Sequence, residues 1–520
     1  MNQSVMSRLL DAHASRNGGK VFVRDRQSQA TYGEMAEGSD RVANHLHGAI
    51  GVKPGDKVAV LLTNSVDFLY VQFGIAKAGA VMVPVNTLAT ADLLTHFLNN
   101  SDASVVILEK ELLPLVASVR ARTPKVKALV IRGEQSFADM LGAPAVAPAV
   151  ELNWYDPVDI FYTSGTTGVS KGVVLSHQHH YVFGQTIAKS ARLGPDDVMY
   201  VCLPLYHGMG SYMSIMPMLI HGGSIALASG FSASRWLDDI RHFGATVTWG
   251  VYSIAPILMK QAPRPDDGDN PLRVYLFTGM ASTMGDAFQE RFGVRIVDHY
   301  GATESAHLAY SAWDERRPGA VGPVNSEHYE VAVVDEHDNR LPPGEVGECV
   351  SRCRLPYTQM TEYYKMPEAT LEAFRNRWLH SGDLVRIDAE GWLYFVGRGK
   401  DMIRRRGENI SCFELESLLQ ACEDVQECAA VPVPSELGED EVKVVVSPRD
   451  GRTLAYETVM AYCREYLPKF MLPRYIEIIS EVPKLANQKI DKVILKKAGI
   501  NARTWDATTG RLTVDGPDPR

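Results

Sequence analysis

The sequence is poor in cysteine, and its few cysteines are not spaced for a metal site. Seven cysteines occur in 520 residues, and no two of them form a C-x-x-C pair. An odd number without such spacing disfavours both a disulfide framework and a zinc site. The 15 histidines also form no H-x-x-x-H pair. We therefore predict buried free thiols in a reducing compartment, the cytoplasm.

The sequence also lacks an excess of positive charge and any long uninterrupted apolar run. Lys and Arg number 53 against 62 Asp and Glu, a net charge of −9, which favours neither nucleic acid nor an anionic membrane as partner. The most apolar region, residues 201–228, is broken by Pro204, His207 and Pro217, so no membrane span is predicted. The oligomeric state is left open, with a homodimer as one alternative.

Short apolar runs alternate with segments of helical periodicity over most of the chain. Such alternation predicts an α/β fold with layered, mostly parallel sheets. The runs predicted as buried strands are residues 57–62, 80–85, 104–109, 127–132, 224–228, 246–251, 273–279 and 295–301.

The last third of the chain has a different pattern. From about Tyr329 the apolar runs come in pairs, one of them joined by a Gly-containing turn at 389–391, which predicts a β-rich subdomain over 329–399. We predict a large N-terminal domain over 1–399, a small α+β domain over 400–502 and a poorly ordered polar tail over 503–520.

One glycine- and hydroxyl-rich stretch, YTSGTTGVSKG at 162–172, matches neither common nucleotide-binding loop. Ser170 stands where a Walker A loop needs its second glycine, and the spacing from Gly165 to Gly168 is not that of a dinucleotide loop. Backbone N–H groups beside glycines, several hydroxyls and the Lys171 ammonium are nevertheless groups that contact a phosphate. A flexible surface turn is the alternative.

A second stretch, HYGATESA at 299–306, directly follows a predicted strand. Loops at strand ends in α/β sheets carry ligand groups. Glu304 is an oxygen ligand suited to Mg²⁺, Thr303 offers a hydroxyl to a phosphate, and Gly301 leaves room for a flat ring. The alternative is a helix N-cap formed by Thr303.

Three later stretches each contribute charged residues. Asp383 in WLHSGDLVRI (378–387) suits the hydroxyls of a ribose, and an ordinary turn aspartate is the alternative. The glycines and arginines of GRGKDMIRRRGENIS (397–411) predict a hinge and a phosphate-contacting loop, or else a solvated hairpin. Lys489 in VPKLANQKIDK (482–492) reads by itself as a surface lysine.

Together, and in this order, these stretches resemble the adenylate-forming superfamily of acyl-CoA synthetases, peptide-synthetase adenylation domains and luciferases. The resemblance extends from ATYGEM (30–35) and AGAVMVPVNTL (78–88) to Lys489. LPLYHGMG (203–210), FSASRWLDDIRHFGATVT (231–248) and EYYKMPEATLEAF (362–374) are most similar to the carboxylate–CoA ligase branch, and within it to carnitine/crotonobetaine-type ligases. The resemblance implies an ATP-dependent, AMP-forming ligase that joins an organic acid to CoA, with Mg²⁺ bound together with the nucleotide.

The resemblance also implies a role for each matching residue. The loop over the β- and γ-phosphates would consist of Thr163, Ser164, Gly165, Thr166, Thr167, Gly168 and Lys171. The adenine pocket would be framed by Gly279, Met280, Ala281, His299, Tyr300 and Gly301. Thr303 would contact the α-phosphate, Glu304 would hold Mg²⁺, and Asp383 and Arg398 would lie at the ribose.

In the small C-terminal domain the resemblance implies mobility. Lys489 would bridge the α-phosphate and the substrate carboxylate, Lys400 would mark the hinge, and Gly407 would line the channel for the thiol after the domain rotates. The arginines Arg404, Arg405 and Arg406 would meet the CoA phosphates or remain solvated. The chain departs from the family at Gln488, where Gly is usual, and this predicts a stiffer loop.

Of the predicted binding sites, the acyl pocket is the one that the sequence indicates least clearly. His207 is implied in catalysis and in the pocket, together with Met209, Ser211, Trp249, Gly250, Val251, Met280 and Ala302. The aromatic residues Trp249, Tyr206, Tyr212 and Tyr252 form either a box for an onium group or part of the core. Alternative activities are the loading of a carrier-protein thiol, a luciferase-type oxidation and nucleotide binding without catalysis.

Overall fold

A computed structural model describes residues 4–163, 170–250, 254–277, 282–311, 313–405, 408–435, 440–485 and 489–513. The chain divides into two compact units. The first comprises Met1–Met280, Gly285–Val331 and Val350–His380, and the second comprises Ala281–Met284, Ala332–Cys349 and Ser381–Arg520. The second unit thus includes segments that precede the predicted domain boundary at residue 400.

The strands of the described residues are β1 (Val21–Arg24), β2 (Gln29–Thr31), β3 (Lys57–Leu61), β4 (Val81–Pro84), β5 (Ala103–Glu109), β6 (Ala128–Arg132), β7 (Pro157–Thr163), β8 (Lys171–Ser176), β9 (Val198–Val201), β10 (Ser224–Leu227), β11 (Val247–Gly250), β12 (Val274–Phe277), β13 (Arg295–Ala302), β14 (Ala306–Tyr310), β15 (Gly322–Pro323), β16 (Tyr329–Val334), β17 (Val346–Cys353), β18 (Leu379–Ile387), β19 (Trp392–Arg398), β20 (Met402–Arg405), β21 (Glu408–Ser411), β22 (Val425–Pro434), β23 (Asp440–Pro448), β24 (Tyr475–Ile478), β25 (Thr504–Asp506) and β26 (Arg511–Leu512).

The α-helices of the described residues are α1 (Met6–Asn17), α2 (Tyr32–Asn44), α3 (Val66–Lys77), α4 (Ala91–Ser101), α5 (Leu113–Val119), α6 (Gln135–Leu141), α7 (His177–Ala191), α8 (Tyr212–His221), α9 (Trp236–Phe243), α10 (Ile254–Lys260), α11 (Ser282–Phe292), α12 (Pro367–Ala373), α13 (Cys412–Gln420), α14 (Tyr456–Tyr466) and α15 (Lys492–Ala498).

The first unit contains two large sheets, and both are parallel in their interior. One has the order β14-β13-β12-β11-β9-β10-β1-β2, and the other has the order β6-β5-β3-β4-β7-β8. Each ends in an antiparallel hairpin, formed by β13 and β14 in the first sheet and by β7 and β8 in the second. These two hairpins carry the predicted phosphate loop and the HYGATESA stretch. The predicted α/β fold with layered, mostly parallel sheets is confirmed.

The parallel strands are short and apolar because both faces of these sheets are covered. All four residues of β4 are buried, and so are the last four of β3. The helices between them start at side-chain caps that the sequence supplies. Thr31 and Glu34 form a capping box at α2, and the Ser65 hydroxyl accepts the Phe68 N–H at α3. All eight strands predicted from apolar runs are present.

The second unit contains a five-stranded sheet with the order β22-β23-β24-β25-β26. Strand β22 pairs antiparallel with β23, and β23 pairs parallel with β24. Helix α13 begins at Ser411, whose hydroxyl accepts the Glu414 N–H. Earlier in the unit, β18 and β19 form the antiparallel pair predicted around the turn at 389–391.

The end of the chain differs from the predicted poorly ordered tail. Strands β25 and β26 extend the sheet of the second unit beside β24. Trp505 is buried and its ring stacks on that of Tyr456, with centroids 5.9 Å apart. One buried aromatic residue therefore holds a polar segment that composition alone does not predict to be ordered. Residues 514–520 lie outside the described part of the chain.

None of the helices in the described segments is long and apolar enough to cross a membrane.

Candidate active site

The hairpin of β7 and β8 places Thr163 and Lys171 side by side. They are directly opposite partners in the register of the two strands. The residues before Thr163, from Val158 to Phe161, are buried in the sheet, so the strand emerges from the core where the polar residues begin. Ser164–Gly168, predicted to contact phosphates, lie outside the described residues.

The second hairpin carries HYGATESA in a turn between two strands. The alternative of a helix N-cap at Thr303 is wrong, because the chain folds back after Thr303 and pairs Ala306 with Ala302. The Ala302 N–H donates to the Ser305 hydroxyl at 3.0 Å and closes the turn. At Gly301 a Cβ atom would lie 1.9 Å from the Ala306 carbonyl oxygen, so the close return of the chain requires glycine there.

The Glu304 carboxylate joins the two hairpins. Its Oε1 accepts hydrogen bonds from the Thr163 hydroxyl at 3.3 Å and from the Tyr363 phenol at 3.2 Å. The Lys171 ammonium lies over the Tyr363 ring, 4.7 Å from its centroid. Burial and then the neighbouring Glu304 charge raise the pKa of Tyr363, so the phenol stays protonated and donates. One carboxylate, one ammonium and two hydroxyls thus converge at the strand ends.

A segment that crosses both hairpins fixes the backbone of this site. The Met360 N–H donates to the Glu304 carbonyl at 2.8 Å, and the Thr361 N–H donates to the Val174 carbonyl at 3.0 Å. Tyr363 then forms a bridge with Val173 on β8. Sequence reasoning did not identify Tyr363 as a site residue. No local pattern marks it, because its contact with Glu304 spans 59 residues of the chain.

The donor set suits a cation that arrives with a nucleotide. Among the described residues, no three His, Cys, Asp or Glu side chains lie close enough to hold a metal ion. Mg²⁺ is commonly held by one or two carboxylates together with substrate phosphates and water. A single carboxylate, Glu304, beside hydroxyls and an ammonium fits that coordination. It does not fit a closed structural metal site.

Behind the second hairpin lies a buried cluster of aromatic and histidine rings. The Trp249 ring is 5.2 Å from that of His299, and the His299 ring is 4.5 Å from that of His307. His299 Nε2 lies 2.9 Å from the Ser190 hydroxyl oxygen. Burial lowers the pKa of His299 to about 3, so its ring is neutral. Two predicted site residues, Trp249 and His299, are therefore brought together, with side chains inside the core.

The proposed aromatic box contains one further core residue. Tyr212 is buried, stacks on the His180 ring at a centroid distance of 4.2 Å and contacts the Phe183 ring edge-on at 5.2 Å. The Tyr206 ring lies tilted against that of His207, with ring centroids 4.9 Å apart. Tyr252 lies outside the described residues. These contacts favour the core alternative for Tyr212, which is held by its neighbours on several sides.

Of the other residues predicted to line an acyl pocket, Met209 and Ser211 lie between β9 and α8, Gly250 ends β11 and Ala302 ends β13. The Ser211 hydroxyl is buried and accepts a hydrogen bond from Gln72 Nε2 at 3.0 Å. The Met209 carbonyl accepts the Ser214 hydroxyl at 2.6 Å. At Gly250 a Cβ atom would lie 1.8 Å from the Tyr275 hydroxyl oxygen, so that ring packs directly on the backbone.

The second unit carries Asp383, Arg398 and Lys489. Asp383 and Arg398 are opposite partners on β18 and β19, and Arg398 Nε lies 3.6 Å from Asp383 Oδ1. The Asp383 side chain is 13% exposed, whereas that of Arg398 is 51% exposed. Lys489 is exposed, and its carbonyl accepts the Leu485 N–H at 2.7 Å. Lys400 lies in the short 3-10 turn Gly399–Asp401.

Arg405 departs from both sequence alternatives. Its Nε lies 2.6 Å from Glu441 Oε2, and its Nη1 donates to the carbonyls of Phe470 at 3.1 Å and Leu472 at 2.8 Å. The side chain is 13% exposed. Arg405 is therefore neither solvated nor available to a CoA phosphate, because the second unit uses its guanidinium internally.

Several predicted residues have no structural description. These are Ser164, Gly165, Thr166, Thr167, Gly168, Val251, Gly279, Met280, Ala281, Arg406, Gly407 and Gln488.

Sequence profiles of two known families match two successive parts of the chain. The AMP-binding enzyme family matches residues 10–364, and the AMP-binding enzyme C-terminal domain matches residues 414–489. Crotonobetaine/carnitine–CoA ligase of Salmonella paratyphi A is 32% identical over 485 residues, covering 90% of this chain and 93% of the relative. The protein of the same name from Salmonella typhi is 33% identical with the same coverage.

Solved structures agree with this match. The anthranilate–CoA ligase AuaEII in complex with anthranoyl-AMP superposes with a TM-score of 0.88 at 26% identity, covering 95% of this chain and 97% of that one. ATP-bound MatB from Rhodopseudomonas palustris superposes with a TM-score of 0.87 at 28% identity, covering 96% and 99%. The chain belongs to the AMP-binding enzyme family and is an AMP-forming carboxylate–CoA ligase.

Proposed function

We propose that the site around Glu304 performs the first of two half-reactions on a small organic acid. The acid's carboxylate attacks the α-phosphorus of Mg·ATP, the bond to the β-phosphate breaks, and an acyl-adenylate and pyrophosphate result. In the second half-reaction the CoA thiol attacks the acyl carbon. The thioester forms, AMP leaves and the thiol proton is released. Activation is needed because a carboxylate repels nucleophiles and has no good leaving group.

The observation that carries this proposal is the convergence of Thr163, Lys171 and Glu304 at the two hairpins. Glu304 accepts hydrogen bonds from Thr163 and Tyr363, and the Lys171 ammonium lies over the Tyr363 ring. Charge accumulates on the phosphates as pyrophosphate leaves, and prearranged positive and hydroxyl groups stabilise it. In this proposal Glu304 holds the Mg²⁺ of the nucleotide, while Lys171 and Thr163 face its phosphates. Thr303, in the same turn as Glu304, contacts the α-phosphate.

The second unit supplies the other proposed roles. Asp383, backed by Arg398, binds the ribose hydroxyls, because a carboxylate can accept both. Lys489 holds the α-phosphate and the substrate carboxylate together. Residues 400–502 form the mobile domain, and its rotation at Lys400 replaces Lys489 by the loop at Gly407 for the thiol step. Since ATP and CoA are intracellular cosubstrates, we place the protein in the cytoplasm.

The relatives suggest where to begin with the acid. Proteins named for crotonobetaine and carnitine are 32% and 33% identical to this chain over 90% of its length, so a short acid bearing a quaternary ammonium group is our first candidate. Acids of other classes follow from the structural relatives, which include an anthranilate ligase.

The test is a panel assay with Mg·ATP. Crotonobetaine, carnitine, benzoate, anthranilate, malonate and fatty acids of graded length are each supplied with either CoA or hydroxylamine, and pyrophosphate, AMP, hydroxamate and thioester are measured. We expect one acid class to give pyrophosphate and thioester in equal amounts. Hydroxamate without thioester would indicate a carrier-protein thiol as the acceptor. No pyrophosphate with any acid would contradict the proposal.

A further inference from the structure

The loop that carries Lys489 is closed at its base by the chain itself. The Leu485 N–H donates to the Lys489 carbonyl at 2.7 Å, and Lys484 forms a bridge with Ile490. Directly afterwards, the Asp491 carboxylate accepts backbone N–H groups and begins helix α15. Because the loop and the helix share this short connection, a displacement of α15 also displaces Lys489.

Helix α15 is in turn held by a carboxylate on α13. Lys492, its first residue, places its Nζ 2.8 Å from Glu416 Oε1, and the same oxygen accepts the Ala430 N–H at 2.6 Å. The two side chains are only 21% and 13% exposed. An ion pair shielded to this degree is held more firmly than one on the surface, where the pairing contributes little.

A second carboxylate ties α15 to the turn that contains Lys400. Asp401 ends the 3-10 turn Gly399–Asp401, and its Oδ1 lies 3.3 Å from Lys496 Nζ. Lys492 Nζ lies 3.9 Å from the other oxygen of Asp401. Lys492 therefore stands between Glu416 and Asp401. The two ammonium groups of Lys492 and Lys496 and the two carboxylates of Glu416 and Asp401 thus form one ionic network without net charge.

We propose that Glu416, Lys492 and Asp401 are positioning residues that connect the Lys489 loop to the turn at Lys400. Through them, Lys489 keeps its place relative to that turn and moves with it as one piece. The inference rests on the roles proposed above for Lys489 and Lys400. It adds that an ionic network, and not only the chain, transmits a rotation at Lys400 to Lys489.

The experiment measures the two half-reactions separately. Adenylation is followed by pyrophosphate release with Mg·ATP and an accepted acid, and thioester formation is followed with presynthesised acyl-adenylate and CoA. We expect Glu416→Gln to lower the adenylation rate roughly 10- to 100-fold, since a displacement of about 1 Å has that effect. Thioester formation should stay within about 2-fold, because Lys489 is not used in that step.

A second pair of variants carries the same test if Glu416→Gln does not fold. Lys492→Met should reproduce the selective loss of adenylation, and Lys492→Arg, which keeps the charge, should recover most of it. Asp506→Asn is the matched control. It removes a carboxylate on β25 of the same unit, which pairs with Arg474 at 3.4 Å; the Asp506 and Arg474 side chains are 9% and 30% exposed.

The outcomes distinguish the two proposals. The control Asp506→Asn should affect the two half-reactions equally, if it affects them at all. If Glu416→Gln and Lys492→Met also affect both half-reactions equally, the positioning role is overturned. Lys489→Ala serves as the reference, and it should lose adenylation while sparing thioester formation. If Lys489→Ala shows no such split, the proposed role of Lys489 is itself wrong. If Lys489→Ala shows the split and the Glu416 and Lys492 variants do not, only the network is wrong.

Discussion

The Glu304 carboxylate accepts hydrogen bonds from two hydroxyls that are 141 and 59 residues away in the chain. Both donors bond to the same oxygen, so they orient the carboxylate while leaving its charge in place. Of the two, Tyr363 also supports the Lys171 ammonium through its ring. The phenol therefore positions an acidic and a basic group at once, although it is not itself charged.

This arrangement predicts unequal effects of two conservative changes. Glu304→Gln keeps the shape but removes the charge proposed to hold Mg²⁺, so the adenylation rate should fall by about 100-fold or more. The Mg²⁺ concentration needed for half-maximal rate should rise. Tyr363→Phe removes one hydrogen bond, of about 0.5–1.5 kcal/mol, and should cost only about 2- to 10-fold. Pyrophosphate release against Mg²⁺ concentration measures both, and equal effects would contradict the assignment.

At the scale of elements, the hairpins at the edges of the two sheets position the groups proposed for catalysis. Each is an antiparallel addition to a parallel sheet, so its turn lies at the carboxyl end of the strand that enters it. The β13–β14 turn is tight because Gly301 allows the returning chain to approach. The position of Glu304 is therefore set by the backbone of this hairpin and by its bond to Met360.

The hairpin can be tested by adding one methyl group. Gly301→Ala would place a Cβ atom 1.9 Å from a backbone oxygen, so the turn must open. Overpacking of this kind costs about 1–3 kcal/mol. We expect a lower unfolding temperature and a loss of adenylation larger than the stability change explains. Gly230→Ala is the control, because no atom lies within 4 Å of its added Cβ. Wild-type adenylation in Gly301→Ala would show that the turn does not position Glu304.

At the scale of the whole molecule, the core of the first unit contains an unusual number of neutral histidines. They are His177, His179, His180, His299 and His307, all buried, and burial lowers the pKa of each. The pKa is about 4 for His177 and about 3 for His179 and His299. Asp159 lies 3.5 Å from His180 and has the opposite effect on the pH dependence of stability, because burial raises its pKa.

These shifts predict that stability falls as the pH falls from 6.5 towards 4. In that window the unfolded chain binds protons at the histidines and the folded chain does not, so acid favours unfolding. Each histidine contributes up to about 1.4 kcal/mol per pH unit, and the five outweigh the opposing carboxyls of Asp159 and Glu416, whose pKa values are raised by burial. Unfolding temperatures at pH 7, 6 and 5 measure the effect.

A single variant separates this cause from general acid sensitivity. His177→Gln should flatten the pH dependence of the unfolding temperature, whereas His337→Gln, at a side chain that is 76% exposed, should leave it unchanged. A stability that does not vary between pH 7 and 5 would show that the buried histidines do not control it.

Much of this architecture follows from local patterns in the sequence. Apolar runs bounded by Gly, Pro and Asp mark the strands, since a strand covered on both faces must be apolar throughout. The paired apolar runs after Tyr329, with a glycine between two of them, predicted the β18–β19 hairpin. In the structure Gly391 lies in its turn at a φ of +82°, a conformation that favours glycine. Glu304, Thr163 and Lys171 were predicted as site residues from their residue types and from the order of the motifs, and the structure brings the three together.

The tertiary structure decided what depends on contacts between distant segments. It placed Tyr363 against Glu304, turned the Arg405 guanidinium towards Glu441, and packed Trp505 on Tyr456. None of these has a periodic or local signal, because each partner lies many residues away. The sequence alone determined which elements form, and it predicted the motifs proposed to carry the chemistry. The packing of those elements decided which side chains meet, because burial and hydrogen bonding are satisfied only in three dimensions.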